Sequence, residues 1–151
     1  MTIYLGADHR GFALKGPLIA FVQGMGYEVS DLGAKTLVPG DDYPDYAAEV
    51  ARRVDADPEQ NKGILICGAG AGVDIVANRF RKVRSVLGMN PDQVYAARHD
   101  DDANVLSLAA DHVTEEVAKQ MVKVFLVTPF SADARFSRRL DKIDAVILPP
   151  L

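Results

Sequence analysis

The chain begins with a short β-prone run, Thr2 to Ala7, after which Phe12, Leu14, Leu18, Ile19 and Phe21 recur at helical spacing until Gly24-Met25-Gly26 stops them. A second short strand is expected over residues 27–32, and a loop over 33–40. Tyr43-Pro44-Asp45-Tyr46 opens a helix running to about Val54, with Pro44 in the first turn, where its missing N–H is harmless. The polar run 55–62 predicts a surface loop. Residues 63–67 are continuously apolar, as in a parallel strand covered on both faces. Beyond them the pattern predicts a helix over 72–80, a strand over 83–88, a helix over 91–99 and a strand over 104–108. Thr114, with Glu115 and Glu116 behind it, introduces a helix over 117–127. The last helix is expected over about 132–147, and Pro149-Pro150-Leu151 cannot extend it.

Strand alternates with helix about five times. That predicts an α/β fold: a doubly wound, mostly parallel five-stranded sheet with helices on both faces, Rossmann-like, built from one domain over 1–151. Ligands in such sheets bind beyond the carboxyl ends of the strands, where the strand order reverses. Asp8-His9-Arg10, the loop before Asp42-Tyr43-Pro44, Cys67-Gly68-Ala69-Gly70 and Asn90 all fall at such ends.

Composition acts mainly by exclusion. With 48% hydrophobic and 25% charged residues and no apolar run near the length of a membrane span, an ordinary soluble protein is expected. A net charge of -4 argues against a nucleic-acid footprint on the whole surface while leaving room for a local basic pocket. The start of the chain has neither a basic n-region nor a long apolar h-region, and the single cysteine cannot form an internal disulfide. A cytoplasmic protein without membrane or nucleic-acid partners is the expectation.

The candidate chemistry centres on Cys67. A lone cysteine in a strand is commonly an inert small hydrophobe. Here it precedes Gly68, Gly70 and Gly72, which open a helix whose backbone N–H groups and dipole can receive an anion and favour thiolate. A thiolate beside such donors suits acyl transfer or proton abstraction alpha to a carbonyl. The glycine spacing does not match a dinucleotide fingerprint. Asp8 and His9 read either as a capping carboxylate with a surface histidine or as groups that orient a sugar hydroxyl and donate to an oxyanion. Arg135 and Arg139 share a helix face, as a solvated basic surface paired with Asp133 and Asp141 or as a phosphate clamp. His99-Asp100-Asp101-Asp102 matches no metal-ligand spacing and reads as a polar turn.

Together these residues resemble the type B ribose-5-phosphate isomerases and their relatives, the galactose-6-phosphate isomerase subunits. The resemblance rests on G-A-D-H-x-G-x-x-L-K (Gly6 to Lys15), D-Y-P (Asp42 to Pro44), I-C-G-x-G-x-G (Ile66 to Gly72), A-N-[KR] (Ala77 to Arg79), V-R (Val83-Arg84), N-V-L (Asn104 to Leu106) and R-x-x-x-R (Arg135, Arg139). It implies interconversion of an aldose phosphate and a ketose phosphate with no metal or organic cofactor. Cys67 would be the base, with Asp8, His99 and Asp100 as further catalytic groups. The resemblance gives the enediolate oxygen to the backbone of Gly68, Ala69, Gly70, Ala71 and Gly72. Asp42, Tyr43 and Asp101 would shape the pocket, and His9, Arg135 and Arg139 would grip the phosphate. It also implies a homodimer with shared sites, a tetramer remaining open, and a last helix that contributes to the dimer and the phosphate site.

Three positions depart from the family pattern. Where relatives commonly read His-Asn-Asp, this chain reads Asp100-Asp101-Asp102 with His99 one position early, so either His99 or Asp100 takes the ring-opening role, or the substrate differs. Where relatives carry an arginine after Asn-Val-Leu, this chain has Asp111. That exchange sets a repulsive charge of about 1–4 kcal/mol against a dianion, unless His112 compensates in part or the substrate carries no phosphate there. Ala69 stands where many relatives have a hydroxyl. A hexose 6-phosphate or free aldose as substrate, or an inactive sugar-phosphate-binding member of the fold, are the competing readings.

Overall fold

The computed structural model describes residues 1–131 and 133–146. Five strands form one sheet in the order β2-β1-β3-β5-β4: β1 (Thr2–Ala7), β2 (Glu28–Asp31), β3 (Asn61–Cys67), β4 (Ser85–Leu87) and β5 (Val105–Ala109). Every pairing is parallel. Strict alternation along the central strands divides the core. Ile3, Leu5, Ile64, Ile66, Leu106 and Leu108 face helices α1 (Phe12–Gly24), α4 (Pro91–Asp101) and α5 (Glu115–Val127). Leu65, Cys67 and Val105 face α2 (Tyr43–Ala56) and α3 (Ala71–Ala77). The expected doubly wound α/β sheet is therefore present, with helices on both faces. The final helix, α6 (Ala134–Asp144), lies on neither face, and none of its residues is buried.

The boundaries shift for local reasons. The polar loop expected over 55–62 ends early, because Asn61 and Lys62 already pair with Thr2 and Ile3 as the start of β3. Lys62 is buried beside the ring of Phe125, its stem covered as long amphipathic side chains often are. The fourth helix runs past His99 to Asp101, so Asp100 and Asp101 belong to its last turn rather than to a polar turn. Arg98 bonds Asp102 at 2.7 Å across one helical turn, and Asp102 closes the helix in the left-handed region at φ 47°. The third helix stops at Ala77, where Asn78 leaves the helix and its amide bonds the backbone N–H and C=O of Ser85 at 2.9 and 3.0 Å. Of the residues expected in the last helix, Ala132 and Ile147 lie outside the described residues, as does Pro149-Pro150-Leu151.

Several residues that carry the family resemblance hold the fold rather than the site. Asn104 accepts from the Arg84 N–H and donates to the Lys82 carbonyl, both at 2.8 Å, fixing the entry to β4 beside β5. Arg84 bonds Asp102 at 2.7 Å, and buried Lys15 bonds Asp31 at 2.9 Å.

Candidate active site

The chain leaves β1, runs to the sheet edge through α1 and β2, then returns by α2 to β3 on the other side of β1. The order therefore reverses between β1 and β3, and the crevice at their carboxyl ends is where such a fold receives a ligand. The pairing of Ala7 with Ile66 sets Asp8 beside Cys67 across that crevice.

Cys67 is 5% exposed. Its Sγ accepts the backbone N–H of Gly70 at 3.2 Å. Gly70 can turn this N–H back on the sulfur because it adopts φ +72°, where side chains are disfavoured. A Cβ there would stand 2.5 Å from Leu87 Cδ1 and 3.0 Å from the Ala109 nitrogen. The turn is stitched to the end of β5, since Ala110 donates to the Cys67 carbonyl at 2.9 Å and Asp111 to that of Gly68 at 3.0 Å. Ala69 and Ala71 face solvent, and the ring of Tyr43, at the start of α2, packs directly on Gly72.

Asp8 is buried, and its Oδ1 accepts the N–H groups of Arg10 and Gly11 at 3.0 and 2.9 Å. That oxygen holds the turn into α1. His9 is half-buried, and both its backbone N–H and its Nδ1 lie 2.8 Å from Oδ1 of Asp41. The second oxygen of Asp41 accepts from the Tyr46 hydroxyl at 2.9 Å. Burial pushes the Asp41 carboxyl up, but the bonds from His9 and Tyr46 outweigh it and hold the pKa below the ordinary value. Sequence reasoning misses Asp41. Its neighbour Asp42 carries the family motif, yet Asp42 is exposed and makes no capping bond to α2. A doubled aspartate before Tyr-Pro is the one signal that could have pointed to it.

Arg10 pairs with Asp111, and the pair lies over Gly68: a Cβ on Gly68 would be 2.6 Å from Arg10 Nε and 2.7 Å from Asp111 Oδ2. The negative charge expected from Asp111 is thus matched by a guanidinium from the end of β1. His112 is exposed beside it.

The remaining expected site residues form a separate cluster. His99 bonds Asp100 at 2.7 Å, stacks on Tyr95 with centroids 5.3 Å apart, and meets the edge of Phe136 of α6 at 5.9 Å. Arg135 and Arg139 flank Phe136, their guanidinium carbons 5.4 and 5.6 Å from its ring, and Arg135 pairs with Asp133. All strands run in one direction and α4 returns against them, so its last turn lies at the end of the sheet where strands begin, opposite Cys67. One chain therefore brings together Asp8, His9, Asp42, Tyr43, Cys67 and residues 68–72, and separately His99, Asp100, Arg135 and Arg139. Asp101 belongs to a third place, an apolar groove of about 710 Å³ along the β4 edge lined with Phe80, Val83, Val86 and Ile143. That groove has no thiol, histidine or glycine turn among its lining residues. The chemistry points to the crevice.

Among the described residues, Asp8, His9 and Asp41 are the one trio whose donor atoms could surround a metal ion. Asp8 Oδ1 and both oxygens of Asp41 are already occupied by N–H or O–H donors. No described helix is long and apolar enough to cross a membrane.

A buried thiol held by a glycine turn at the switch point of a parallel sheet, with a carboxylate and a histidine from the adjoining strand, defines a small-molecule site of the acid–base type. The chain matches the ribose/galactose isomerase family over residues 3–143 and belongs to it. It is 40% identical over 143 residues to a probable ribose-5-phosphate isomerase B of Mycoplasma pneumoniae, covering 95% of this chain and 93% of that protein. To the ribose-5-phosphate isomerase B of Escherichia coli it is 38% identical, with 95% of each covered. The crystal structure of ribose-5-phosphate isomerase B from Mycoplasma genitalium, with bound ribulose-5-phosphate, superposes with a TM-score of 0.92 at 36% identity, over 95% of this chain and 93% of that one.

Proposed function

We propose that this isomerase interconverts ribose 5-phosphate and ribulose 5-phosphate through an enediolate, with Cys67 as the base. The observation that carries the reading is the Cys67 sulfur, buried beside Asp8 and bonded to the Gly70 N–H at the switch point. The names of the matched relatives support the substrate, as does the ligand in the Mycoplasma genitalium structure. As thiolate, Cys67 takes the proton from C2 of the open-chain aldose, and the electron pair moves through C1 onto O1. The resulting enediolate is held by backbone N–H groups of residues 68–72; the hydroxyl proton passes from O2 to O1, the electron pair on O2 forms the C2 carbonyl, and the thiol delivers a proton to C1 to give the ketose. Substrate and product are isomers, so no external oxidant or reductant enters the balance. Asp8, with Oδ1 engaged by the backbone, has Oδ2 to orient a sugar hydroxyl, while Asp42 and Tyr43 wall the pocket.

The phosphate and ring-opening groups come from a second copy. His99, Asp100, Arg135 and Arg139 lie at the opposite end of the sheet from Cys67 in one chain, and a homodimer that sets one copy's α4–α6 cluster at the other's crevice completes the site. The exposed flank of α6 and the apolar groove beside Ile143 support such an interface. A cytoplasmic setting fits the single free thiol.

The test is ketose formation from ribose 5-phosphate, followed by NMR, for the wild type and Cys67→Ala with EDTA throughout. Turnover by the wild type and a loss of at least about a hundredfold in the variant support the reading, given what a general base contributes. An inactive wild type refutes it. The exchange of arginine for Asp111 favours a second reading, a hexose 6-phosphate or a free aldose as substrate, and the same assay run on those sugars decides it.

A further inference from the structure

Asp41 plays no part in the chemistry described above, yet it is the most completely bonded carboxylate near the crevice. Its side chain is 6% exposed, and it joins two loops that are 32 residues apart in sequence, the end of β1 and the entry to α2. Both oxygens are used, Oδ1 by the backbone N–H and ring Nδ1 of His9 and Oδ2 by the Tyr46 hydroxyl. An ionised carboxylate has lone pairs and no hydrogen to give, so an Nδ1 that meets it at 2.8 Å must carry the proton itself. The bonds that hold the Asp41 carboxyl below its ordinary pKa keep it in this acceptor-only form, and the Tyr46 phenol, pushed up by the same bond, remains its donor. Among the described residues, His9 Nε2 has no hydrogen-bond partner, and the ring is 32% exposed. The ring therefore has a fixed face, a fixed tautomer and one free nitrogen.

We propose that Asp41 is a positioning residue: it fixes the orientation and tautomer of His9 so that Nε2 is the atom presented to the sugar phosphate. This rests on the reading that His9 contacts substrate. The neutral ring, with hydrogen on Nδ1, offers Nε2 as an acceptor for a sugar hydroxyl. The protonated ring offers it as a donor to a phosphate oxygen from the same position. A plain latch between two loops would need the bond to the His9 backbone but not the bond to the ring, which separates the two roles experimentally.

The experiment uses the full-length protein labelled with ¹⁵N, with long-range ¹H–¹⁵N spectra reporting the histidine tautomers and steady-state kinetics on ribose 5-phosphate alongside. His9 signals are assigned by their loss in His9→Gln. The wild type is expected to show His9 protonated at Nδ1 in its neutral form. Asp41→Asn keeps an acceptor oxygen toward His9 and an amide toward Tyr46, so it retains that tautomer and a KM within about threefold of wild type. Asp41→Ala releases the ring: the tautomer shifts toward Nε2–H, and kcat/KM falls roughly 10- to 100-fold, mostly through KM, by analogy with the loss when the partner that orients a metal-ligating histidine is removed. A wild-type ring protonated at Nε2 overturns the proposal without any variant, and so does Asp41→Ala with wild-type tautomer and KM. A shifted tautomer with unchanged KM also overturns it, because His9 would then be positioned for nothing. If the wild type does not turn over ribose 5-phosphate, the isomerase reading fails by itself, while the spectra of wild type and Asp41→Ala still uphold or overturn the control of His9 by Asp41.

Discussion

Replacing Gly70 by alanine should cost several kcal/mol, because it combines a left-handed backbone with close backbone neighbours. At φ +72° an alanine pays about 1–2 kcal/mol for the left-handed conformation. Its Cβ would also lie 3.0 Å from the Ala109 nitrogen and from the Leu108 carbonyl carbon, backbone atoms of central strand β5 that cannot swing aside, which adds about 1–3 kcal/mol of overpacking. The stiffer unfolded chain returns about 0.4–1 kcal/mol. The net loss is about 3 kcal/mol, and for a chain of this size that lowers Tm by about 6–12 °C. Gly68→Ala provides the control. Its Cβ would collide with Arg10 and Asp111, but these are side-chain tips 57% and 35% exposed that can move apart, and an exposed pair is worth about 1 kcal/mol or less. Calorimetry of the three proteins at one pH checks the contrast. Equal Tm values for Gly70→Ala and Gly68→Ala, within about 2 °C, would refute the argument that a fixed backbone rather than mere proximity sets the cost.

Three further predictions follow from the geometry. If the site is shared, Cys67→Ala and Arg139→Ala are each inactive alone, and subunit exchange at equal concentrations restores about a quarter of wild-type activity, because half the dimers are hybrids with one intact site of two; no recovery on mixing contradicts the shared site. Arg10→Ala unmasks Asp111 and raises KM for ribose 5-phosphate about fivefold, for roughly 1 kcal/mol of repulsion at the water-like dielectric of this exposed site, and adding Asp111→Ala restores most of the loss; independent effects in this double-mutant cycle contradict the pairing. Lys62, held at about 8 chiefly by burial and by its neighbour Arg98, binds fewer protons folded than unfolded between pH 8 and 10.5, so wild-type stability gains from this residue as pH rises through that window. Lys62→Met should accordingly stabilise by about 1–3 kcal/mol at pH 7, with the advantage fading toward pH 10; melting curves from pH 6 to 10 test this, and a pH-independent difference contradicts it.

The sequence displays what repeats or runs. The apolar run ending at Cys67 marks the central strand, and Thr114 marks the start of α5, where its hydroxyl accepts the Val117 N–H at 3.2 Å. Polar residues with tertiary partners are misread. Asn61 and Lys62 look like loop until β1 supplies a pairing partner and Phe125 a cover. Asp100 and Asp101 look like a turn because the Arg98–Asp102 bond that extends α4 cannot be inferred from aspartate propensity. The site is legible only in part for a related reason. Cys67 and its glycines are contiguous, whereas Asp41 acts on a residue 32 positions away and Arg10 balances one 101 positions away. Charge balance across such separations leaves no periodic trace. Family motifs do not separate the two kinds of residue either, since Lys15, Asn78, Arg84 and Asn104 belong to them and serve as struts.

The proton transfer assigned to Cys67 is tested most directly by running the reaction in D₂O and following hydrogen at C2 of ribose 5-phosphate and C1 of ribulose 5-phosphate by NMR. With the wild type, deuterium is expected at these carbons as the S–H formed on Cys67 exchanges with solvent over repeated turnovers, and both exchange and isomerisation are expected to be lost in Cys67→Ala under conditions where the variant remains folded. Exchange that persists at the wild-type rate without the thiol would place the base elsewhere.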